Sequence, residues 1–175
     1  MKKLLILFTI LTLTNLNAQE KQNDATWEET ISFLNKYSDM LMRFDNRSSV
    51  MDWTKFTNVK FQNKDNTTFL ILEYSLNPQI LITNYDLKYL DKVEWQEKSK
   101  VNSIDWSNWK DVITIKFTRP QPYIFDGKKR GTYKQHAIKI SDSEINERYF
   151  KALKHLAYLA KKKREEIRKN SGDKF

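Results

Sequence analysis

The chain has 175 residues and no cysteine, which excludes disulfide frameworks, thiolate metal sites and thiol catalysis. Hydrophobic residues make up 39% and aromatic residues 13%, enough apolar material for one core. The formal net charge is +9, from 31 Lys+Arg against 22 Asp+Glu, which favours anionic partners but is also typical of a lysine-rich solvated surface.

The first 18 residues have the pattern of a secretory signal peptide. Lys2 and Lys3 precede an apolar run, and the small residue Ala18 ends a plausible cleavage site. The run is shorter than the roughly 20 residues that a membrane span needs. No cysteine follows Ala18, so a lipoprotein anchor is not expected. The sequence therefore predicts a periplasmic or secreted protein that begins at Gln19.

The sequence after the signal peptide predicts one helix followed by strands. Thr26 and Glu29 have capping-box spacing, and apolar residues at helical intervals predict a helix from Thr26 to about Phe44. The alternation in Trp53–Phe61 predicts a half-buried strand. Thr67–Leu76 is apolar on both faces and predicts a central strand.

The middle of the chain predicts further strands. Ile80–Thr83 and Leu87–Gln96 indicate one or two strands, with a bend near residues 84–86. Val101–Trp106 and Trp109–Thr118 flank a two-residue connection and predict an antiparallel hairpin. The two tryptophans beside that connection would form a cross-strand pair.

The stretch Arg119–Thr132 is predicted to be the longest irregular segment, because it contains two of the three prolines and two of the three glycines. Asp126-Gly127 within it is a turn signal. A binding loop for an anionic ligand or a partner protein is one interpretation of this segment, and an ordinary solvated hairpin is the alternative. Tyr133–Ile140 is predicted to be the last strand.

A long amphipathic helix is predicted from Ser141 to about Lys163. Ser141 and Glu144 again have capping-box spacing, and the apolar face needs a sheet to cover. Residues 165–175 are predicted to be a charged, frayed tail. The apolar positions of the helix are Ile145, Tyr149, Leu153, Leu156 and Leu159.

These elements predict an α+β fold in residues 19–164, arranged as a single helix-barrel-helix domain. A curved antiparallel sheet or partly open barrel of six to seven strands would be preceded by one helix and closed by the long C-terminal helix. In Trp53–Ile140 followed by Glu144–Lys163, this order resembles the pleckstrin-homology-like barrel. A cystatin-like or nuclear-transport-factor-like wrapped sheet is the second fold considered, and the long C-terminal helix argues against it.

A second resemblance rests on the phrase E-R-x-x-K-A-x-x-H-L, which here spans Glu147–Leu156. It is similar to small secreted proteins of Gram-negative bacteria whose function is unknown. Lipid-binding pleckstrin-homology domains hold phosphoinositides with basic residues around the first hairpin. Gln62–Asn66 offers one lysine and one aspartate there, so the resemblance does not imply phosphoinositide binding.

The inventory of catalytic groups is small. Neither His136 nor His155 has a His, Asp or Glu at metal-ligand spacing, so no metal site is predicted. The pairs Glu28-Glu29 and Glu165-Glu166 are interpreted as helix-end charges. We expect no catalytic residues and no cofactor, and a hydrolase is the least favoured function.

The sequence favours a non-catalytic binding or interaction module. We expect a monomer whose partner is a protein, an anionic ligand or a membrane surface, and we do not expect nucleic acid. The alternative is an envelope-associated protein that binds anionic lipid or glycan through a basic surface, with the run Lys161–Arg164 as one contact. The candidate ligand-binding residues are Tyr123, Phe125, Lys128, Lys129, Arg130 and Trp95.

Overall fold

The computed structural model describes residues 24–45, 52–75, 78–96 and 111–171. This part of the chain contains two α-helices and eight β-strands. The helices are α1 (Trp27–Lys36) and α2 (Ser143–Asn170). The strands are β1 (Leu41–Asp45), β2 (Asp52–Lys55), β3 (Asn58–Lys64), β4 (Thr67–Ser75), β5 (Ile80–Asp86), β6 (Leu90–Gln96), β7 (Val112–Phe125) and β8 (Lys128–Ile140).

The strands form a curled antiparallel half-barrel that the long helix α2 follows. Seven strands make a continuous path in the order β2-β1-β8-β7-β5-β4-β3, and β6 pairs with β7 beside that path. The predicted fold class is confirmed: an N-terminal helix, a curled antiparallel sheet and a long C-terminal helix. The predicted signal peptide and the predicted hairpin at Ser107-Asn108 lie outside the described residues.

A corner between β2 and β3 explains the curl. These strands lie at opposite ends of the path but follow each other in sequence. At the corner, the Phe56 N–H donates to the Leu41 carbonyl at 3.4 Å and the Thr57 N–H donates to the Glu73 carbonyl at 2.9 Å. Two residues thus tie both ends of the sheet together. The single strand predicted over Trp53–Phe61 is therefore two strands.

The helix predicted to reach Phe44 is too long. The Thr26–Glu29 capping box is present, but α1 ends at Lys36 and a 3₁₀ turn leads into β1. The Asn35 side chain accepts from the Phe61 N–H at 2.9 Å and donates to the Phe61 carbonyl at 3.3 Å. Pairing of Leu41 with Ile140 then overrides the local helical pattern.

The bend between β5 and β6 lies slightly later than predicted. A 3₁₀ turn occupies Leu87–Tyr89, and the Asp86 carboxylate caps it by accepting from the Lys88 N–H at 3.1 Å. β6 and β5 both pair with β7, along its first and last residues respectively. The turn therefore lets one stretch of chain follow most of β7.

Arg119–Thr132 is a regular hairpin instead of an irregular segment. β7 continues through two prolines to Phe125, and β8 starts at Lys128. The ladder between the two strands shifts register between Lys116 and Gln121, which leaves Pro120 in a bulge. A bulge is one of the few places in a sheet where proline is accepted, because the ladder needs no N–H donor there.

Helix α2 starts and ends later than predicted. Asp142, and not Ser141, is the N-cap, and its carboxylate accepts from the Ile145 N–H at 3.0 Å. The helix continues through residues predicted to be a frayed tail and ends at Asn170. Its buried side chains, which pack on β6, α1 and the Leu87–Tyr89 turn, include Tyr149, Leu153, Leu156, Ala157 and Ala160.

The hydrophobic core joins both helices to the inner face of the sheet, the face that carries buried Leu72 and Tyr85. Fully buried leucine or tyrosine side chains each contribute about 1.5–3 kcal/mol by leaving water. Within the described ranges, no helix is both long enough and apolar enough to cross a membrane.

Candidate functional site

β7 and β8 are joined by a two-residue turn, Asp126-Gly127. Both residues have positive φ, 50° and 71°, a combination that glycine and aspartate accept more readily than most residues. The Asp126 N–H donates to the Ile80 carbonyl at 3.0 Å, which fixes the turn to the start of β5. We call residues 123–133 the hairpin tip.

Two predicted ligand-binding residues, Tyr123 and Phe125, lie on the inner face of the hairpin tip and are half-buried. Lys128 is directly opposite Phe125 in the ladder and is exposed. Residues directly opposite each other in a sheet point to the same side. The Lys128 side chain therefore points to the same side of the sheet as the Phe125 ring.

The Tyr123 ring is part of a stack. It lies parallel to Tyr133, with centroids 4.6 Å apart and planes inclined by 21°. Gly131 is opposite Tyr123, and a Cβ at this position would be 2.8 Å from the Tyr123 Cε1 atom. Gly131 thus lets the Tyr123 ring lie close to the backbone. Burial, with a smaller contribution from Tyr123, raises the pKa of Tyr133, so its hydroxyl is neutral at pH 7.

The outer face of the hairpin tip carries aliphatic side chains. Ile82 pairs with Ile124, and Ile124 pairs with Lys129, so these three side chains form a row across three strands. Ile80 precedes Ile82 by two positions and shares its face. Its exposed fraction of 45% is large for an isoleucine.

Three of the residues in the hairpin tip carry cationic side chains. Lys128, Lys129 and Arg130 are all exposed, and none has an ion-pair partner among the residues that the structure describes. From Val112 to Ile140 the chain has seven basic residues and a single acidic one, Asp126. The hairpin is therefore the most one-sidedly charged element of the sheet.

Trp95 does not join this group. It is half-buried on β6, where its ring meets Phe150 of α2 edge-on at a centroid distance of 5.2 Å. Its place is in the contact between helix and sheet. The structure thus brings together five of the six predicted residues, and the sixth packs elsewhere.

Comparison with known proteins gives no match from which the role of the hairpin tip could be carried over. No family model, no curated protein and no solved structure matches the chain. Its chemistry is therefore inferred from the residues themselves.

Behind the hairpin tip, an aromatic cluster surrounds His136. The Tyr85 hydroxyl is 2.8 Å from His136 Nδ1, and the Phe56 and Tyr133 rings lie within 5.9 and 6.4 Å of the imidazole centroid. Burial, assisted by the charge of Arg43, lowers the pKa of His136 to about 4. Burial also raises the pKa of Tyr85. Both side chains are therefore neutral at pH 7, and the Tyr85 O–H can donate to Nδ1.

This cluster is poorly suited to acid-base catalysis near neutral pH. A general acid or base works best when its pKa lies near the working pH. His136 has been moved well below that range and Tyr85 above it. His155, the other histidine, lies 2.7 Å from the Ala25 carbonyl through Nε2, a contact between α2 and the chain before α1.

Across the described ranges, no group of three or more His, Cys, Asp or Glu residues is arranged to hold a metal ion. The aromatic cluster around His136 continues through Phe56 to the Tyr74 ring, whose centroid is 6.1 Å from that of Phe56. The Arg43 guanidinium packs on the Tyr74 ring, 3.9 Å from its centroid. The arrangement is that of a packed aromatic interior.

The basic run at the end of α2 is divided between structural and solvated roles. Arg164 donates to the Lys88 and Leu90 carbonyls, the latter at 2.8 Å, and holds the helix on the turn before β6. Lys163 lies 5.9 Å from the Trp27 ring centroid. Lys161 and Lys162 line a shallow surface depression that also contains two glutamates, Glu165 and Glu166. The charges of this surface are mixed, whereas the charged residues of the hairpin tip are all basic except Asp126.

The sequence analysis did not identify Ile80, Gly131 and Tyr133 as residues in or beside the hairpin tip. Ile80 was assigned to a strand, and only the register shows that its carbonyl meets the turn of another hairpin. A glycine opposite an aromatic residue in a predicted hairpin is the signal that could have identified the Tyr123 stack. That signal requires the hairpin to be recognised first.

Proposed function

We propose that this protein is a non-catalytic binding module that holds an anionic ligand on the hairpin tip. The observation that carries the proposal is the set of three exposed cations, Lys128, Lys129 and Arg130, which lack ion-pair partners in the described part of the chain. Charges that face water without partners are available to an incoming anion and steer its approach. The neighbouring half-buried rings add contact area.

We further propose that the half-barrel is pleckstrin-homology-like. Its support is the order of elements, in which a strongly curled antiparallel sheet is followed by one long helix packed on its core side. A crystal structure whose strand order differs from β2-β1-β8-β7-β5-β4-β3 would remove this support.

The place of action that we propose is the periplasm or the extracellular space. The support is the signal-peptide pattern of residues 1–18. Mass spectrometry of the protein recovered from a Gram-negative host should find a chain that starts at Gln19 in the periplasm or the medium. An unprocessed chain in the cytoplasm would contradict the proposal.

The binding proposal is tested with a charge-reversal variant and a matched control. The variant Lys128→Glu, Lys129→Glu, Arg130→Glu should bind dextran sulfate about tenfold or more weakly than the unchanged protein, because six units of charge change at the contact. Fluorescence anisotropy at low ionic strength measures the affinity. All three residues are exposed, so the free energy of unfolding should change by less than about 0.5 kcal/mol per site.

The matched control reverses three exposed lysines of α2: Lys161→Glu, Lys162→Glu, Lys169→Glu. It has the same change in net charge at a different place. An equal loss of affinity in both variants would show that net charge alone drives binding and would sink the proposed site.

A further inference from the structure

We infer that the anionic ligand is the surface of a lipid bilayer and that Ile80 is the apolar anchor which enters it. This inference rests on the proposed function, because it names the partner of the same hairpin tip. The observation behind it is that the exposed Ile80 side chain lies next to the hairpin tip, whose three cations have no ion-pair partners in the described part of the chain.

The first step concerns the position of Ile80. Its carbonyl accepts from the Asp126 N–H at 3.0 Å, so the start of β5 and the hairpin turn lie next to each other at one edge of the molecule. Pro78 and Gln79, which precede it, are exposed as well. The Ile80 side chain therefore has no covering element along this edge in the described part of the chain.

The second step concerns the distance between the apolar and the cationic groups. Lys129 follows Ile82 and Ile124 in the row across β5, β7 and β8. Neighbouring strands are about 4.8 Å apart, so the backbone of Lys129 is about 10 Å from β5. A long lysine side chain spans much of that distance. Ile80 and Lys129 can thus touch the same surface at once, and Lys128, on the opposite face, reaches it only when the turn leads the approach.

The third step is energetic. A lipidated protein attaches stably to a bilayer when its acyl chain is combined with a polybasic patch. An exposed apolar side chain adds to a basic patch in the same way, with a smaller gain because it buries less apolar surface. Each basic residue close to anionic lipid adds about 1 kcal/mol. A soluble polyanion would use the cations equally well, but it would gain nothing from Ile80. The exposed isoleucine therefore favours a bilayer over a soluble acidic polymer.

Two carboxylates, those of Glu73 and Asp126, determine how the protein can be oriented on an anionic bilayer. Glu73 is opposite Ile82 on the outer face, so a sheet lying flat on an anionic surface would bring this charge against it. An edge-on approach, led by Ile80 and the turn, avoids that contact. Asp126 remains at the leading edge, where it opposes binding. Replacing Asp126 with asparagine keeps a residue that accepts positive φ and removes the negative charge.

The test is co-sedimentation of the purified protein with vesicles of phosphatidylcholine alone or mixed equally with phosphatidylglycerol. The protein should sediment with the mixed vesicles, and added salt should release it. Ile80→Ser should weaken this binding about fivefold, since about half of the side chain's apolar surface is available for burial. Asp126→Asn should strengthen it about fivefold. Affinity for dextran sulfate should be unchanged in Ile80→Ser.

The chain offers a matched control for the anchor. Ile167 on α2 is 58% exposed, and Ile167→Ser removes the same apolar group from a distant surface. Its vesicle binding should equal that of the unchanged protein. Thermal unfolding of both serine variants should change only slightly, because neither side chain belongs to the buried core.

The outcomes separate this inference from the proposed function. If Ile80→Ser binds mixed vesicles as well as the unchanged protein does, or if the protein binds dextran sulfate but no vesicles, the bilayer inference is wrong and the anion-binding function stands. If reversal of Lys128, Lys129 and Arg130 affects neither vesicles nor dextran sulfate, both are wrong.

Discussion

Two asparagine side chains connect the helices to the sheet by bonding to backbone groups. Asn35 in α1 exchanges two hydrogen bonds with Phe61 of β3, as a neighbouring strand would. Asn146 in α2 donates to the Asp111 carbonyl at 2.6 Å and accepts from the Ile140 N–H at 3.0 Å. An amide side chain suits this role because it offers a donor and an acceptor together.

Asn146 gives the first prediction. Its side chain is fully buried, so Asn146→Ala leaves the buried Ile140 N–H and the partly buried Asp111 carbonyl without this partner. Each such group costs about 1–3 kcal/mol, and we expect a total loss of about 2–4 kcal/mol in the free energy of unfolding. Urea denaturation measures it. The exposed Asn58→Ala serves as a control, and an equal loss there would contradict the assignment.

His136 gives the second prediction, a dependence of stability on pH. Its pKa falls from the usual 6.5 to about 4 in the folded protein, so the unfolded chain binds a proton more readily between these values. Stability should therefore decrease as the pH falls from about 6.5 to 4, by about 3 kcal/mol from this residue, and the contribution of this residue should level off as the pH falls below its folded pKa.

The measurement is the free energy of unfolding in urea at several pH values. His136→Gln removes the imidazole, so the difference between the protein and the variant should shrink toward pH 4. The titration of carboxylates changes the free energy of unfolding of the unchanged protein and of the variant equally, so it cancels in the difference between them. A difference that stays constant with pH would show that burial does not hold His136 in its neutral form.

At the scale of elements, the end of α2 depends on one long side chain. Arg164 donates to the carbonyls of Lys88, in the turn before β6, and Leu90, the first residue of β6. It also lies 3.9 Å from an Asp91 carboxylate oxygen. Hydrogen bonds from a charged donor contribute about 1.5–3 kcal/mol when they are partly buried. The last turns of the helix, whose other side chains are exposed, therefore gain their order mainly through this residue.

The third prediction follows from this contact. Arg164→Ala should accelerate amide hydrogen exchange from residue 161 to Asn170, while exchange near Leu153 in the buried part of the helix stays slow. Lys162→Ala, an exposed neighbour, should leave the exchange pattern unchanged. Slow exchange at the helix end in Arg164→Ala would mean that helix propensity alone sustains it.

The sequence predicted elements well where local and tertiary preferences agree. β4 was expected from an apolar run, and α2 was expected from its periodicity and acidic first turn. The prediction was wrong for Leu41–Asp45, which was assigned to a helix because of its apolar spacing. Pairing with β8 and β2 makes this segment a strand. Hydrogen bonds from residues distant in sequence decide that segment, so no local pattern reveals it.

The candidate site was predicted only in part for the same reason. The aromatic and basic composition near Asp126-Gly127 identified Tyr123 and the three cations. The proline content of the segment suggested a loop, because the bulge that accepts Pro120 depends on the register of β7 and β8. Ile80 comes to the site through a backbone bond to the turn, which sequence distance conceals.

At the scale of the whole molecule, charge is distributed unevenly. Residues 24–96 contain 11 acidic and eight basic residues, whereas residues 112–140 contain one and seven, and α2 contains four and nine. The positive charge therefore lies on the second half of the chain. An anion approaching from solution is drawn first to that half, and local geometry decides where it binds.

Anion binding at the hairpin tip can be mapped by titrating isotope-labelled protein with dextran sulfate and following the amide chemical shifts. The largest shifts should fall on residues 123–133, with small shifts on α2. Shifts concentrated on residues 161–169 would place the anion on the helix end and would contradict the assignment of the hairpin tip.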